Sequence, residues 1–307
     1  MKKISIGATI AHGYRFGFGG FVGLFRLLWL PTAIAAVCNY FTGDQMSLFI
    51  RSLRTHDFSA LSMPWPILLL GTTAAFVCST MELTAAFQLA LGQIEPANRW
   101  FYFPLLQKAL WRVVGAMLLL MLTLAALVVV YLLAVLLIGF LFRLGFQAAH
   151  MSDAAINTVS TLDIALALLV GYCGFIFCAV RFGYLLFPAT ISEGKIGLFN
   201  AWSLSEKNFW RMLLSSVAVT LPILALEILF LAMTGIFRFP PPGATPAQIQ
   251  AIQNTVAATA DARMHHYWYM FYPLQGLVMI LTYGTLAGAQ SFAWRTLSEN
   301  NVTPNPL

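Results

Sequence analysis

Charge is what this chain has least of. Only 9% of its 307 residues are Asp, Glu, Lys or Arg, against roughly 25% in a typical soluble domain. That leaves too little polar surface to cover a water-soluble globule of this length. Acidic residues number 11, so the paired carboxylates of a hydrolase are hard to assemble. The four cysteines, Cys38, Cys78, Cys173 and Cys178, all sit in apolar runs. They read as small packing residues, with no disulfide framework and no metal or redox spacing. The five histidines (His12, His56, His150, His265 and His266) do not converge. His150 with Asp153 is at most half of a metal site. There is no His-Glu-x-x-His, no phosphate loop and no Gly-x-Ser-x-Gly elbow. No basic cluster is dense enough for nucleic acid. The expectation is a protein that is not an enzyme, with no catalytic residues, no cofactor, no metal and no nucleic-acid partner.

What the chain has in excess is apolar residues, 60% of the total at a mean hydropathy of +0.79. They come in runs of the roughly 20 residues that a helix needs to cross the hydrocarbon core. Six windows qualify: 21–42, 66–91, 113–141, 164–188, 212–237 and 267–292. The strongest is 113–141, with no charge between Val113 and Phe142; the weakest is the first, interrupted by Arg26, Pro31 and Asn39. Residues 1–307 therefore read as one integral membrane domain, an all-α polytopic helical bundle of about six transmembrane helices. Lys2 and Lys3 before an apolar run imitate a secretory signal. Arg15, Arg26 and several glycines break that run, so the N-terminus reads as uncleaved.

Orientation follows from the basic residues. With the N-terminus inside, 12 of the 17 Lys and Arg lie on the inner side and Arg51, Arg54, Arg143, Arg238 and Arg263 lie outside. The bias predicts that both termini lie in the cytoplasm. The net charge of +6 then marks a basic inner face suited to anionic membrane lipids. The long outer loops are 43–63 and 239–266. Pro240-Pro241-Pro242-Gly243 stops any helix, 246–263 has the composition of a short surface helix, and Tyr267, Trp268, Tyr269 and Tyr272 form an interfacial aromatic belt. The inner segments 93–112 and 189–211 are amphipathic and carry Trp100, Trp111, Trp202 and Trp210. Such segments lie in the interface plane.

Those inner segments suggest a repeat. Trp111-Arg112 and Trp210-Arg211 stand 99 residues apart, each just before a span, and the same offset relates Glu82 to Arg181. Leu30-Pro31 near the N-terminus parallels Leu221-Pro222. The expectation is a three-fold repeat of an interfacial amphipathic helix followed by a transmembrane hairpin. Trp111, Arg112, Trp210 and Arg211 are its candidate interfacial residues.

Ionisable groups inside a membrane are costly, and each is a functional hypothesis. Three qualify: Glu82, Arg181 and Glu227. Glu82 and Arg181 fall at similar depth, so they form either a structural ion pair or a polar point in a substrate or headgroup cavity. The small-x-x-x-small pairs Gly13/Gly17, Gly19/Gly23 and Gly284/Gly288 permit close helix contact, within the bundle or in a homo-oligomer.

One segment carries a family likeness. Residues 181–222 read RFGYLLFPATISEGKIGLFNAWSLSEKNFWRMLLSSVAVTLP. The order Phe-Pro-Ala, then Glu-Gly, then Ala-Trp-x-Leu-x-x-x-Asn-Phe-Trp-Arg resembles the bacterial glycerophosphodiester phosphodiesterase membrane-domain family. In some members that domain precedes a soluble phosphodiesterase domain. Here no His-Arg pair and no Glu-x-Asp occurs, so the resemblance implies the membrane domain without the hydrolase activity. Two roles are then weighed: a lipid- or envelope-handling membrane protein, with lipids and a protein partner or second copy as its contacts, or a transporter or permease subunit with a polar site at Glu82 and Arg181. An intramembrane hydrolase comes third.

Overall fold

The computed structural model describes residues 3–55, 65–95, 102–148, 153–233 and 268–298, with scattered positions between 241 and 255. Nine helices account for these long stretches: α1 (Ile6–Gly19), α2 (Phe21–Thr55), α3 (Trp65–Ala90), α4 (Lys108–Ala148), α5 (Asp153–Gly183), α6 (Leu186–Glu193), α7 (Leu198–Leu204), α8 (Phe209–Met233) and α9 (Trp268–Ser298). There is no strand among the described residues. Six segments are long and apolar enough to span a bilayer: Phe21–Gly43, Trp65–Ala90, Lys108–Phe142, Leu166–Glu193, Phe209–Leu229 and Met270–Ser298. They coincide with the six hydropathy windows, and the protein is an all-α polytopic bundle.

Burial is uneven along every span. On α3 the residues from Thr80 to Gln88 are all buried, while Leu69 and Leu70 lie exposed. On α4 the buried residues stop at Ala116, and α8 buries Met212, Ser215, Val219 and Ile223 before Leu224–Leu229 turn outward. The tight core thus sits at the end of the bundle that carries the N-terminus, the α3–α4 connection and α6–α7, called here the N-terminal face. Toward the far face α4 and α8 lose their buried residues and α5 is mostly exposed, which lipid tolerates because tails are as apolar as Leu. There α2 keeps its contacts with α3 at Gly71 and with α9 at Tyr272.

Two prolines explain part of that core. Proline has no N–H, so the carbonyl four residues earlier loses its helical partner. Pro31 frees the Leu27 carbonyl, which accepts the Tyr102 N–H at 3.2 Å. Pro222 frees the Ala218 carbonyl, which accepts the Tyr14 phenol at 2.5 Å. Each kink ties a segment of the N-terminal face to a spanning helix, and orphaned backbone groups in lipid must find such partners.

The N-terminal segment enters the bundle. In α1, Gly13 and Gly17 face Thr285 and Ala289, while Gly284 and Gly288 pack on the α1 backbone. A Cβ at Gly288 would come within 3.2 Å of the Gly13 Cα, and one at Gly284 within 3.3 Å of the Gly17 Cα. The two glycine pairs therefore serve one internal contact, α1 against α9. Ser5 caps α1 through the Ala8 N–H. Of the three interfacial helices expected from the repeat, α1 and the α6–α7 pair are present. Residues 102–107 ahead of α4 form turns. The helices α6 and α7 bury Ala189, Ile191, Leu198 and Ala201 against protein. The expected surface stretch is helical over 247–252, and α2 continues past its span to Thr55. His56, Arg99, Trp100, His150, Arg238, Pro240, Arg263, His265, His266 and Tyr267 lie outside the described residues.

Candidate functional site

The antiparallel pair α2 and α9 meets closely along one line, with Gly284 against Leu24 and Gly276 against Thr32. Small residues at these points bring the backbones together. Beside that line the helices leave a groove of about 630 Å³, within the usual range of ligand sites. Phe25, Trp29, Val37 and Phe41 form one wall, and Tyr272, Leu277 and Ile280 form the other. Tyr40 and Tyr272 close its far end in an edge-to-face contact, centroids 5.9 Å apart at 87°. The wall is apolar along most of its length, with the Thr32 hydroxyl near mid-span.

Behind Thr32 lies Glu82. Its side chain is 2% exposed and is flanked by Thr32 of α2 and Tyr283 of α9. The Thr32 hydroxyl donates to the Leu28 carbonyl at 2.7 Å and lies beside the Glu82 carboxyl group. Glu82 is thus one side chain deep from the groove, in a part of α3 that is buried on all sides.

The other intramembrane candidates do not join it. Arg181 donates from Nε to the Ser205 hydroxyl at 3.0 Å and from Nη2 to the Trp202 carbonyl at 2.9 Å. Its guanidinium lies 3.8 Å from the Trp202 ring centroid, a close cation–π contact. The ion pair that equal depth suggested is not formed: Arg181 fastens α5 to α7, and Glu82 faces α2 and α9. Glu227 is exposed on α8, pointing out of the bundle. Depth along a helix is legible in a sequence, but the helix face that meets a given partner is not.

The interfacial candidates have separate tasks. Trp111 and Trp210 are both more than half exposed in the first turn of a spanning helix. The Trp111 indole donates to the Leu105 carbonyl at 3.0 Å. Arg112 lies over Gly194, whose φ of 68° ends α6 in the left-handed region; a side chain there would be strained and would meet the guanidinium at 3.1 Å. Arg211 donates to the Ile4 carbonyl at 2.6 Å, and the Ile4 N–H donates to the Asn208 amide oxygen at 3.1 Å. Trp202, Asn208 and Arg211, which belong to the pattern that gives the 181–222 segment its likeness, and Ser205 between them therefore act as fasteners of the N-terminus, α5, α7 and α8.

Outside the spans, His12 stacks on Phe292 with centroids 5.0 Å apart. Partial burial against that ring, with Arg295 and Arg15 nearby, holds its imidazole below the ordinary histidine pKa. Among the described residues no three His, Cys, Asp or Glu side chains come together as a metal site would require. The groove itself escaped the sequence reading. Its signal is the stripe Phe25, Trp29, Ala33, Val37 and Phe41 at four-residue spacing, which hydropathy alone does not separate from any lipid-facing surface.

Six spanning helices, a core at the N-terminal face and a lateral groove define a multi-pass α-helical membrane protein. No protein-family model, no curated protein and no solved structure matches the chain.

Proposed function

We propose that this chain is a non-enzymatic multi-pass protein of a bacterial inner membrane, with both termini in the cytoplasm, that binds membrane lipid through the groove between α2 and α9. The groove is the observation that carries the reading: it is apolar, opens sideways from two spanning helices and has the size of a ligand site. The non-enzymatic part rests on the lack of hydrolase and metal motifs throughout the sequence. The likeness of residues 181–222 to the glycerophosphodiester phosphodiesterase membrane domain belongs to the same proposal, as kinship with a membrane domain and not as an activity.

The test is native mass spectrometry of the full chain released from detergent, beside an Ala33→Trp variant that fills the groove. Retained lipid in the wild type and its loss in the variant are expected. Equal lipid retention by both would remove the groove from the account.

A second reading, a transporter or permease subunit, is favoured by Glu82, a buried carboxyl behind the groove wall. It expects Glu82→Gln to abolish transport or its cellular phenotype at normal expression. An unchanged phenotype would count against it.

A further inference from the structure

We propose that the groove takes an anionic phospholipid from the leaflet at the N-terminal face, with the lipid phosphate held by Arg26. The inference rests on the lipid-binding reading above and adds the headgroup and the leaflet. Moving an acyl chain from the bilayer into an apolar groove exchanges one hydrocarbon surroundings for another, so it selects little. Selection must come from a polar contact at the groove's end.

Arg26 stands at that end. It is exposed and lies on α2 between Phe25 and Trp29, both of which line the groove. Its depth is fixed by its neighbour Leu27, whose carbonyl binds the Tyr102 N–H. Tyr102 belongs to the connection between α3 and α4, so Arg26 lies at headgroup level. A guanidinium offers five N–H donors in a planar fork suited to phosphate, so other contacts do not exhaust it.

The joint of α1 and α2 lies at Gly20. The Gly20 N–H donates to the Phe16 carbonyl and the Gly20 carbonyl accepts from Leu24, both at 3.0 Å. Gly20 nonetheless interrupts the helix, and α1 and α2 are separate elements. On α2, Val22, Arg26, Trp29, Ala33, Val37 and Phe41 are all exposed and follow one face, with Arg26 toward its N-terminal end. Arg15 lies on α1, near His12. It extends the positive field below the headgroup, with Arg295 near His12 beside it.

The experiment places the full chain in nanodiscs that hold trace phosphatidylglycerol or phosphatidylcholine with the same photoreactive acyl chain. Phosphatidylglycerol is expected to crosslink to α2 and α9 about five times more than phosphatidylcholine, the factor that about 1 kcal/mol per surface arginine gives. Arg26→Gln should bring the two lipids level by lowering phosphatidylglycerol more than phosphatidylcholine, and Arg26→Lys should keep the preference in large part. Arg15→Gln should have the smaller effect. Inorganic phosphate should not compete; competition would assign the contact to free anion and overturn the lipid assignment. A preference that survives in Arg26→Gln overturns the role of Arg26. Ala33→Trp should suppress both lipids. If it does so while Arg26→Gln leaves the ratio intact, the headgroup proposal fails and the groove stands. If Ala33→Trp changes neither lipid, the groove reading fails as well.

Discussion

Asn208 and Arg211 hold the two polar groups of Ile4 from 204 and 207 positions away, and Arg181 is held by Trp202 and Ser205. Each is a polar side chain whose partner is fixed by packing. Because Glu82 and Arg181 have different surroundings, exchanging their charges should not be self-correcting. Glu82→Arg and Arg181→Glu are each expected to reduce folded, detergent-stable yield, and the double exchange to do no better than the worse single one. Recovery by the double variant, read by size-exclusion yield, would restore the ion pair. His12 gives a pH test. Its folded pKa lies below 6.5, so on acidification the unfolded chain binds its proton first. Stability associated with neutral His12 is fully present above about pH 6.5 and declines as pH falls through the folded pKa. The thermal midpoint in detergent should therefore drop between pH 7 and pH 5, and drop less in His12→Gln.

Proline and glycine decide how helices meet. Tyr14→Phe leaves the Ala218 carbonyl without its phenol and should cost about 1–2 kcal/mol, the penalty of an orphaned buried acceptor. Pro222→Ala supplies the missing helical N–H. The cost of Tyr14→Phe should then shrink in the Pro222→Ala background, a coupling that a double-mutant cycle measures. Strict additivity would separate the kink from the tether. A side chain at Gly13 would put its Cβ 2.9 Å from the Thr285 carbonyl oxygen and 3.0 Å from the Ala289 Cβ. Gly13→Val should accordingly lose about 1–3 kcal/mol through overpacking. Gly139→Ala, with nothing within 4 Å of its Cβ, serves as the control and should fold normally. Prolines 31 and 222 act alike although the segments they tether differ.

At the scale of the molecule, buried residues concentrate at the N-terminal face and become sparser toward the far face. The orientation proposed from the basic residues places the packed face in the cytoplasm. Single cysteines at Lys195 and at Gly243, in a chain whose four cysteines are replaced by serine, test it in intact cells. A membrane-impermeant thiol reagent should label position 243 and leave position 195 unlabelled until the cells are opened. The reverse pattern would invert the topology and move the Arg26 headgroup site to the other leaflet.

The six spans were legible in the sequence because partition into a bilayer depends on the length and apolarity of a local run. Val113 to Phe142 needs no knowledge of its neighbours to be assigned. The glycine pairs, too, announced a close helix contact, though not that 13 and 17 would meet 284 and 288. What only the tertiary structure decided was which faces meet. In lipid, an apolar side chain gains little by turning from lipid to protein, so hydropathy does not mark the buried face. That choice fell to small residues, proline-freed carbonyls and a few polar side chains acting across 200 residues. It set Glu82 beside Thr32 and Tyr283, gave Arg181 to Trp202, and opened the groove between α2 and α9.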